Sequence, residues 1–305
     1  MDETDIILIK LLLANSRTPY RQLADQLDLS VNAVHIRIQT LKKLGIIHTF
    51  TAKISQSAIK AVNIYVFGSS EADSLSHIHN TLGSHDFTYW VSVAGGNYLY
   101  LGALLQSISD LGSYMAFVQK EAQFPDPTVG ILHSASSSHN TTVGISHSAG
   151  SSHLLPPRDT DTKFYPLDYQ IIYSLRNNSR KAFADIAEEL GVSAKTIRRR
   201  LSRMIDENLI ELSLEWYPDK SNDIMTIFHI HLGDSVDNSK VLSLLFDKYS
   251  SNVIFPTYFS NLPNHVVCVV WTNTMKKLKE IWEQFEREET FESIVANILY
   301  TGEIF

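Results

Sequence analysis

The sequence predicts an α+β protein built in duplicate, and three observations carry that expectation. A fragment recurs at a constant offset of 163 residues. Asn15-Ser16-Arg17, Leu23-Ala24, Ser30, Arg37 and Ile46-Ile47 return as Asn178-Ser179-Arg180, Ile186-Ala187, Ser193, Arg200 and Leu209-Ile210. Within each copy, apolar residues first repeat at helical spacing and then gather in short β-branched runs. A segment rich in Ser, His, Gly, Thr and Pro separates the copies. The expected organisation is a winged helix-turn-helix over 1–53 and a ferredoxin-like βαββαβ domain over 54–132. A linker over 133–163 follows, then a second winged helix-turn-helix over 164–217 and a second ferredoxin-like domain over 218–305.

Residues 4–15 read as a helix, because Thr4 can cap it and Ile6, Ile9, Leu12 and Leu13 fall near one face. A second helix runs from about Pro19 to Leu27, with proline in the tolerated first turn. Ser30 caps a third helix, Val31 to Leu44, which Gly45 ends. The β-branched and aromatic run Ile46–Thr51 is the expected wing hairpin. The second copy repeats this over 166–216, with Ser193 as the cap and Asn208 in place of the glycine. In the first ferredoxin-like domain strands are expected at 62–67, 89–93, 98–104 and 128–132, and helices near 71–82 and 107–122. In the second, strands are expected at 225–232, 253–259, 265–271 and 293–300, and helices at 238–249 and 274–289. The linker is too polar to bury a core of its own. Its end-to-end reach as a flexible chain is about 30 Å.

The length of 305 residues suits two to four small domains, and 44% hydrophobic content is enough for real cores. A net charge of -7 argues against an indiscriminate nucleic-acid coat and makes local basic clusters decisive. The single cysteine, Cys268, stands in a run of valines and is expected in a core. It excludes an internal disulfide and a Cys-rich zinc ribbon, and fits a reducing compartment. Asp2, Glu3 and Asp5 stand where a signal peptide would be cationic. No apolar run is long enough to span a bilayer. The expectation is a soluble cytoplasmic protein with no membrane partner.

The Asn-Ser-Arg turn at 15–17, Leu23-Ala24-x-x-Leu27-x-Leu29-Ser30, Val34-x-x-Arg37-Ile38-x-x-Leu41 and Gly45-Ile46-Ile47 precede a βαββαβ pattern. In this combination they resemble the Lrp/AsnC family of feast-or-famine regulators. The resemblance covers nearly all of the chain outside the linker, twice. It implies sequence-specific binding of double-stranded DNA by the winged heads. It also implies dimerisation through the sensor sheets, and often a small-molecule effector between sensor domains. Most family members carry one copy per chain, so the tandem form departs from the pattern.

In such a head the third helix enters the major groove with its N-terminal half against base edges, and nearby cations hold phosphates. The candidates in the first head are Asn32, His35, Arg37 and Gln39, with Arg17, Arg21, Lys42 and Lys43 nearby. In the second head they are Lys195, Thr196, Arg198, Arg199, Arg200 and Arg203, with Arg180 and Lys181. The denser cationic run predicts more phosphate contact from the second head. Arg37 and Arg200 occupy equivalent positions and have a structural alternative, tying the third helix to the first.

The turns holding Gly95, Gly96 and Asn97, and Asn261 and Asn264, occupy the place where the resemblance implies an effector loop. Both offer Asn where a carboxylate could stand, and a neutral amide is poorly suited to capture an α-ammonium group. A plain turn chosen for backbone geometry is the alternative. His229 and His231 share one face of a strand, and His77 and His79 flank Ile78 on a helix. No cysteine or acid cluster completes either pair. The linker histidines His133, His139, His147 and His153 read as spacer. No metal and no cofactor are expected.

The expected function is a transcription regulator that is not an enzyme. The alternative is a sirohaem-decarboxylase-like tetrapyrrole enzyme of the same architecture. That branch carries His-Tyr-x-Arg-type segments in its sensor domain, and none occurs here. An internal pseudo-dimer of the two sensor domains is expected, with higher homo-oligomers assembled from such units. The paired faces should draw on part of the set Tyr65, Tyr89, Val91, Tyr98 and Tyr100 in one copy, and on part of the set Phe228, Ile230, Phe255, Val267 and Val269 in the other, since alternate residues of a strand face opposite sides. An apolar sheet face of that size needs a cover.

Overall fold

A computed structural model describes residues 1–59, 61–72, 75–132, 164–234 and 236–304. The expected linker with its histidines, and the side chain of His77, lie outside the described residues. In chain order the elements begin with α1 Glu3–Ala14, α2 Tyr20–Leu27, α3 Val31–Lys43, β1 Ile47–Ile54, α4 Gln56–Ile59, β2 Val62–Ser69, α5 Leu75–Gly83, β3 Thr88–Ala94, β4 Tyr98–Leu105, α6 Leu111–Ala122 and β5 Thr128–Ile131. The second copy supplies α7 Pro166–Leu175, α8 Phe183–Leu190, α9 Ala194–Asp206, β6 Ile210–Trp216, β7 Ile224–Leu232, α10 Asn238–Lys248, β8 Val253–Phe259, β9 Leu262–Thr272, α11 Met275–Phe285 and β10 Phe291–Ile304.

The described residues form two compact units, and each draws on both copies. The head unit comprises those within Leu8–Ala61 and Ser152–Tyr217. The sensor unit comprises those within Met1–Ile7, Val62–Ser151 and Pro218–Phe305.

In the head unit the third helices start as the sequence predicts. The Ser30 hydroxyl accepts from the Ala33 amide at 3.1 Å, and the Ser193 hydroxyl from the Thr196 amide at 3.1 Å. Each satisfies a donor that has no partner inside its helix. After α3 and α9 the chain passes through the left-handed region, at Gly45 (φ 75°) and Asn208 (φ 52°). Glycine and asparagine tolerate that conformation best. Val34, Ile38 and Leu41 bury one face of α3, and Ile197, Leu201 and Met204 the matching face of α9.

The strand after each head does not form the wing hairpin expected over Ile46–Thr51. Instead β1 pairs antiparallel with β6, Ala52 opposite Leu212 and Lys53 opposite Glu211. Burial explains the exchange. Ala52 and Ile54 enter the apolar core formed by Ile171, Ile186, Ile197 and Leu201 of the second head. Full burial of a side chain such as Ile54 is worth about 1.5–3 kcal/mol, which a local hairpin would forfeit.

In the sensor unit each copy keeps the ferredoxin-like strand order, β5-β2-β4-β3 and β10-β7-β9-β8. The length of β10 joins them into one eight-stranded sheet. Its first part pairs with β7, Ile294 opposite Ile230, and its last part with β3, Leu299 opposite Ala94. At the other end, Leu132 bridges to Phe259. Helices cover one side of each half. Ile64, Val66, Leu99, Leu101, Tyr114 and Val118 share one core, and Phe228, Ile230, Val266, Cys268, Leu278 and Phe285 the other.

The opposite sides face each other. The Phe67 ring lies 5.0 Å from His229 and 6.1 Å from Phe259, and Tyr65 lies 6.0 Å from Phe259. Tyr65, Tyr98 and Tyr100 therefore point where expected, towards the other copy. Val91, Phe228 and Ile230 are the part of the two sets that faces the other way, into the helix-covered cores, because successive residues of a strand alternate sides.

Gly130 of β5 lies at a close approach of the two halves. A Cβ there would lie 2.3 Å from the Phe259 ring, which is only 1% exposed and has no free space to move into. Gly130→Ala is expected to destabilise the sensor unit by about 1–3 kcal/mol. A urea titration of the full chain checks this, and an unchanged midpoint would contradict the packing.

Candidate nucleic-acid interface and sensor cluster

The basic candidates of the heads separate into two groups. Arg17 and Arg180 belong to the joint between the heads. The Ser16 and Ser179 hydroxyls, 163 positions apart, meet at 2.5 Å. Arg17 donates to the carbonyls of Ser179 and Lys181, the latter at 3.0 Å. Arg180 returns the contact to the carbonyls of Ser16 and Thr18, the latter at 2.9 Å. Arg17 also lies over the Phe183 ring at 4.6 Å, and Arg180 over Tyr20 at 4.5 Å. Burial, with the facing Arg180, holds the Arg17 pKa below its usual value. Both guanidiniums are thus committed within the protein rather than held out as the phosphate contacts expected.

Arg200 and Arg203 are likewise engaged. They clasp the fully buried Asp168 carboxylate of α7 at 3.1 and 2.6 Å. This realises the structural alternative for Arg200: it ties the third helix of its head to the first. Lys181 pairs with Glu189 and reaches the Ser174 hydroxyl at 3.1 Å. Thr196 is partly buried, its hydroxyl 2.9 Å from that of Ser193. Arg37 is half-buried on α3.

The outward group consists of Asn32, His35, Gln39, Lys42 and Lys43 on α3, and Lys195, Arg198 and Arg199 on α9, all exposed. His35 meets the Tyr20 ring edge-on at 5.7 Å, and Lys42 lies 5.6 Å above the Phe50 ring.

The turn candidates in the sensor unit also divide. Asn261 accepts from the Ile131 amide at 2.7 Å and donates to the Val129 carbonyl at 2.8 Å. Its side chain is used in holding β5, away from the effector role expected. Gly96 and Asn97 are exposed and adopt φ of 68° and 55°, so backbone geometry alone calls for their residue types. Gly95 precedes them, partly buried. Asn264 is exposed and donates to Asp234 at 3.3 Å.

A polar cluster that sequence reasoning did not assemble lies between the two halves of the sheet. Asn297 donates to the Tyr100 hydroxyl at 2.7 Å. That hydroxyl lies 2.7 Å from His229 Nε2, and His229 Nδ1 lies 3.0 Å from His265 Nε2. His231 stacks on His265 at 4.6 Å. If Tyr100 donates to His229, then Nδ1 carries the proton and donates to His265, and every inner group is satisfied. Burial, then the neighbouring His265 and His231, lowers the His229 pKa to about 3. Burial and His231 lower that of His265 to about 4. Burial raises the Tyr100 pKa well above its usual value. Tyr100, His229 and His265 are therefore neutral at pH 7. Only the His229/His231 pair was visible beforehand; the contribution of Tyr100 and Asn297 depends on strand pairing between copies. Among the described residues, no group of three or more His, Cys, Asp or Glu side chains is arranged to hold a metal ion. No described helix is long and apolar enough to cross a membrane.

Comparison with known proteins matches residues 1–48 to a winged helix-turn-helix DNA-binding family model and residues 166–205 to the AsnC-type helix-turn-helix domain. Both heads are thus helix-turn-helix domains, the second of the AsnC type, and the chain is similar to Lrp/AsnC regulators in a tandem arrangement. The transcriptional regulator LrpA of Pyrococcus horikoshii is 24% identical over 105 residues, 34% of this chain and 74% of that protein. An uncharacterised helix-turn-helix regulator of the same organism is 49% identical over 51 residues, 17% of this chain. The match spans only 34% of that relative. Among solved structures, the siroheme decarboxylase NirDL aligns over 99% of this chain and 92% of its own, with a TM-score of 0.56 and 12% identity.

That last match corrects one expectation. This chain was expected not to be an enzyme. Yet the fold that it shares over 99% of its length with NirDL is the fold of an enzyme. Architecture therefore gives no ground for excluding catalysis.

Two outcomes follow from the geometry. Arg180→Ala removes two hydrogen bonds from a charged donor, each worth about 1.5–3 kcal/mol, and should cost the head unit about 3 kcal/mol. Lys195→Ala, on the outward face, should change stability by less than about 0.5 kcal/mol. Equal shifts in a denaturant titration would erase the distinction between the two groups.

The second outcome concerns pH. His229 and His265 have folded-state pKa values below the ordinary 6.5, so the unfolded chain takes up protons first as pH falls. Their contribution to stability is complete above about pH 6.5 and is lost progressively towards pH 4 and 3. His229→Gln should flatten this loss in a series of melting curves. A parallel decline in both proteins would remove the histidines as its cause.

Proposed function

We propose that this tandem Lrp/AsnC protein is a sequence-specific DNA-binding transcription regulator in which one chain does the work of a conventional dimer. The supporting observation is the outward face of α9. Lys195, Arg198 and Arg199 are exposed there on a Ser193-capped helix, while the remaining cations of that helix are turned inward onto Asp168. Three cations on the groove-facing surface of a recognition helix are placed to neutralise phosphate and to reach base edges. An effector belongs to this reading on the exposed surface of Gly96, Asn97 and Asn264.

The test is duplex binding across a salt series. Replacing Lys195, Arg198 and Arg199 together by Ala should weaken binding and reduce the slope of log K against log salt by roughly 0.9 for each lost phosphate contact. An unchanged affinity and slope would sink the assignment.

A second reading is chemistry on a tetrapyrrole carboxylate, as the name of NirDL states for that protein. The observation in its favour is the Tyr100–His229–His265 relay between the sheet halves, which could deliver the proton that replaces lost carbon dioxide. The exposed cations of α9 favour the first reading. Incubation with siroheme followed by mass spectrometry decides the point. Loss of a carboxyl group that His229→Phe abolishes would establish the second reading.

A further inference from the structure

The two recognition helices share a scaffold and differ on the surface that would face a ligand. An offset of 163 aligns Val31 with Ala194, Asn32 with Lys195, His35 with Arg198, Ile36 with Arg199 and Gln39 with Ser202, and all ten are exposed. Residues three and four apart share a helix face, so each set of five forms one continuous stripe. On α9 that stripe carries three of the chain's lysines and arginines; on α3 it carries none. In their place stand Asn32, His35 and Ile36, the last 55% exposed, and Val31, opposite Ala194, is 46% exposed beside them. The exposed cations of α3 lie at its other end, Lys42 and Lys43, where α9 has Ile205 and Asp206.

Exposed Val31 and Ile36 contribute nothing to the core of their own head. On a helix lying in a major groove they would meet the thymine methyl group, the one apolar feature of that groove. Asn32 and Gln39 have the donor–acceptor pair that matches the adenine edge, whereas Arg198 and Arg199 match guanine O6 and N7. Lys42 and Lys43 are left for phosphate. The joint through Ser16, Ser179, Arg17 and Arg180 holds both helices in one unit, so both readings are made by one body.

We infer that the two heads read unlike half-sites. The first selects an A·T-rich half through Val31, Asn32, Ile36 and Gln39, the second selects a guanine-containing half through Arg198 and Arg199, and the operator is non-palindromic. This rests on the DNA-binding reading above and deepens it.

Selection of bound duplexes from a random library by the full chain tests the inference. The expected product is a bipartite motif with one A·T-rich and one guanine-containing half. Ile36→Arg should move the A·T half towards guanine and leave the other half unchanged. Arg199→Ile should reduce guanine discrimination in its own half by roughly 10- to 100-fold. Both positions are exposed, and thermal melting of each variant confirms folding; Asn32→Ala offers a second probe of the first half. A palindromic motif, two like halves, or a motif indifferent to Ile36→Arg and Asn32→Ala would overturn the inference while leaving DNA binding intact. Absence of binding to any duplex would overturn the DNA-binding reading and the inference with it.

Discussion

Each four-stranded half of the sensor sheet has helices on one side only, and the need to cover the other side governs how this chain folds. Tyr65, Phe67 and Tyr100 project from one half, and His229, Phe259 and His265 from the other. Their ring surface is too large to leave in water, and a second copy in the same chain is available at high effective concentration. The long β10 fixes the arrangement by hydrogen bonding to both halves. Histidine is tolerated among the rings because each inner nitrogen finds Tyr100 or another histidine. An unpartnered imidazole in the same place would cost its full desolvation.

The head unit solves a similar problem with different chemistry. A three-helix head is small, and its trailing strand gains little by folding on itself. Exchange of β1 and β6 places Ala52 and Ile54 in the other head's core. The price is a pair of arginines brought towards each other across the joint. Repulsion between them is offset because each faces carbonyl oxygens and an aromatic ring of the opposite head. Those carbonyls sit at chain turns, where helix and strand ladders leave acceptors open. Two like charges thereby become a joint.

This distinction explains what was legible in the sequence and what was not. The offset of 163, the Ser30 and Ser193 caps and the ferredoxin-like strand order rest on local pattern, and the structure places them close to where that pattern indicates. Which members of the two apolar sets would face the other copy stayed open, because alternation shows that two sides exist and only helix packing decides which is covered; it takes Val91, Phe228 and Ile230. The wing hairpin failed for a related reason: a run such as Ile46–Thr51 announces a strand without naming its partner. Arg17 and Arg180 look like phosphate contacts in isolation, since nothing in a basic residue's neighbours along the chain reveals a carbonyl from the other copy. The Tyr100–His229–His265 relay was hidden for the same reason, as its members come from β4, β7 and β9.

The duplication also separates two kinds of position. Ser16 and Ser179 touch each other, and Arg17 and Arg180 perform one role from both sides. A change at one such position must fit its counterpart, so both copies hold the same residue there. The stripes beginning at Val31 and Ala194 have no counterpart to fit within the protein. They are free to differ, and they do, at five aligned exposed positions. An ordinary homodimer cannot divide its two heads in this way, because a substitution in one subunit enters both. Fusion of the copies removes that constraint while keeping the joint that requires two of everything. The tandem form is thus what permits one joined pair of heads to carry two different surfaces.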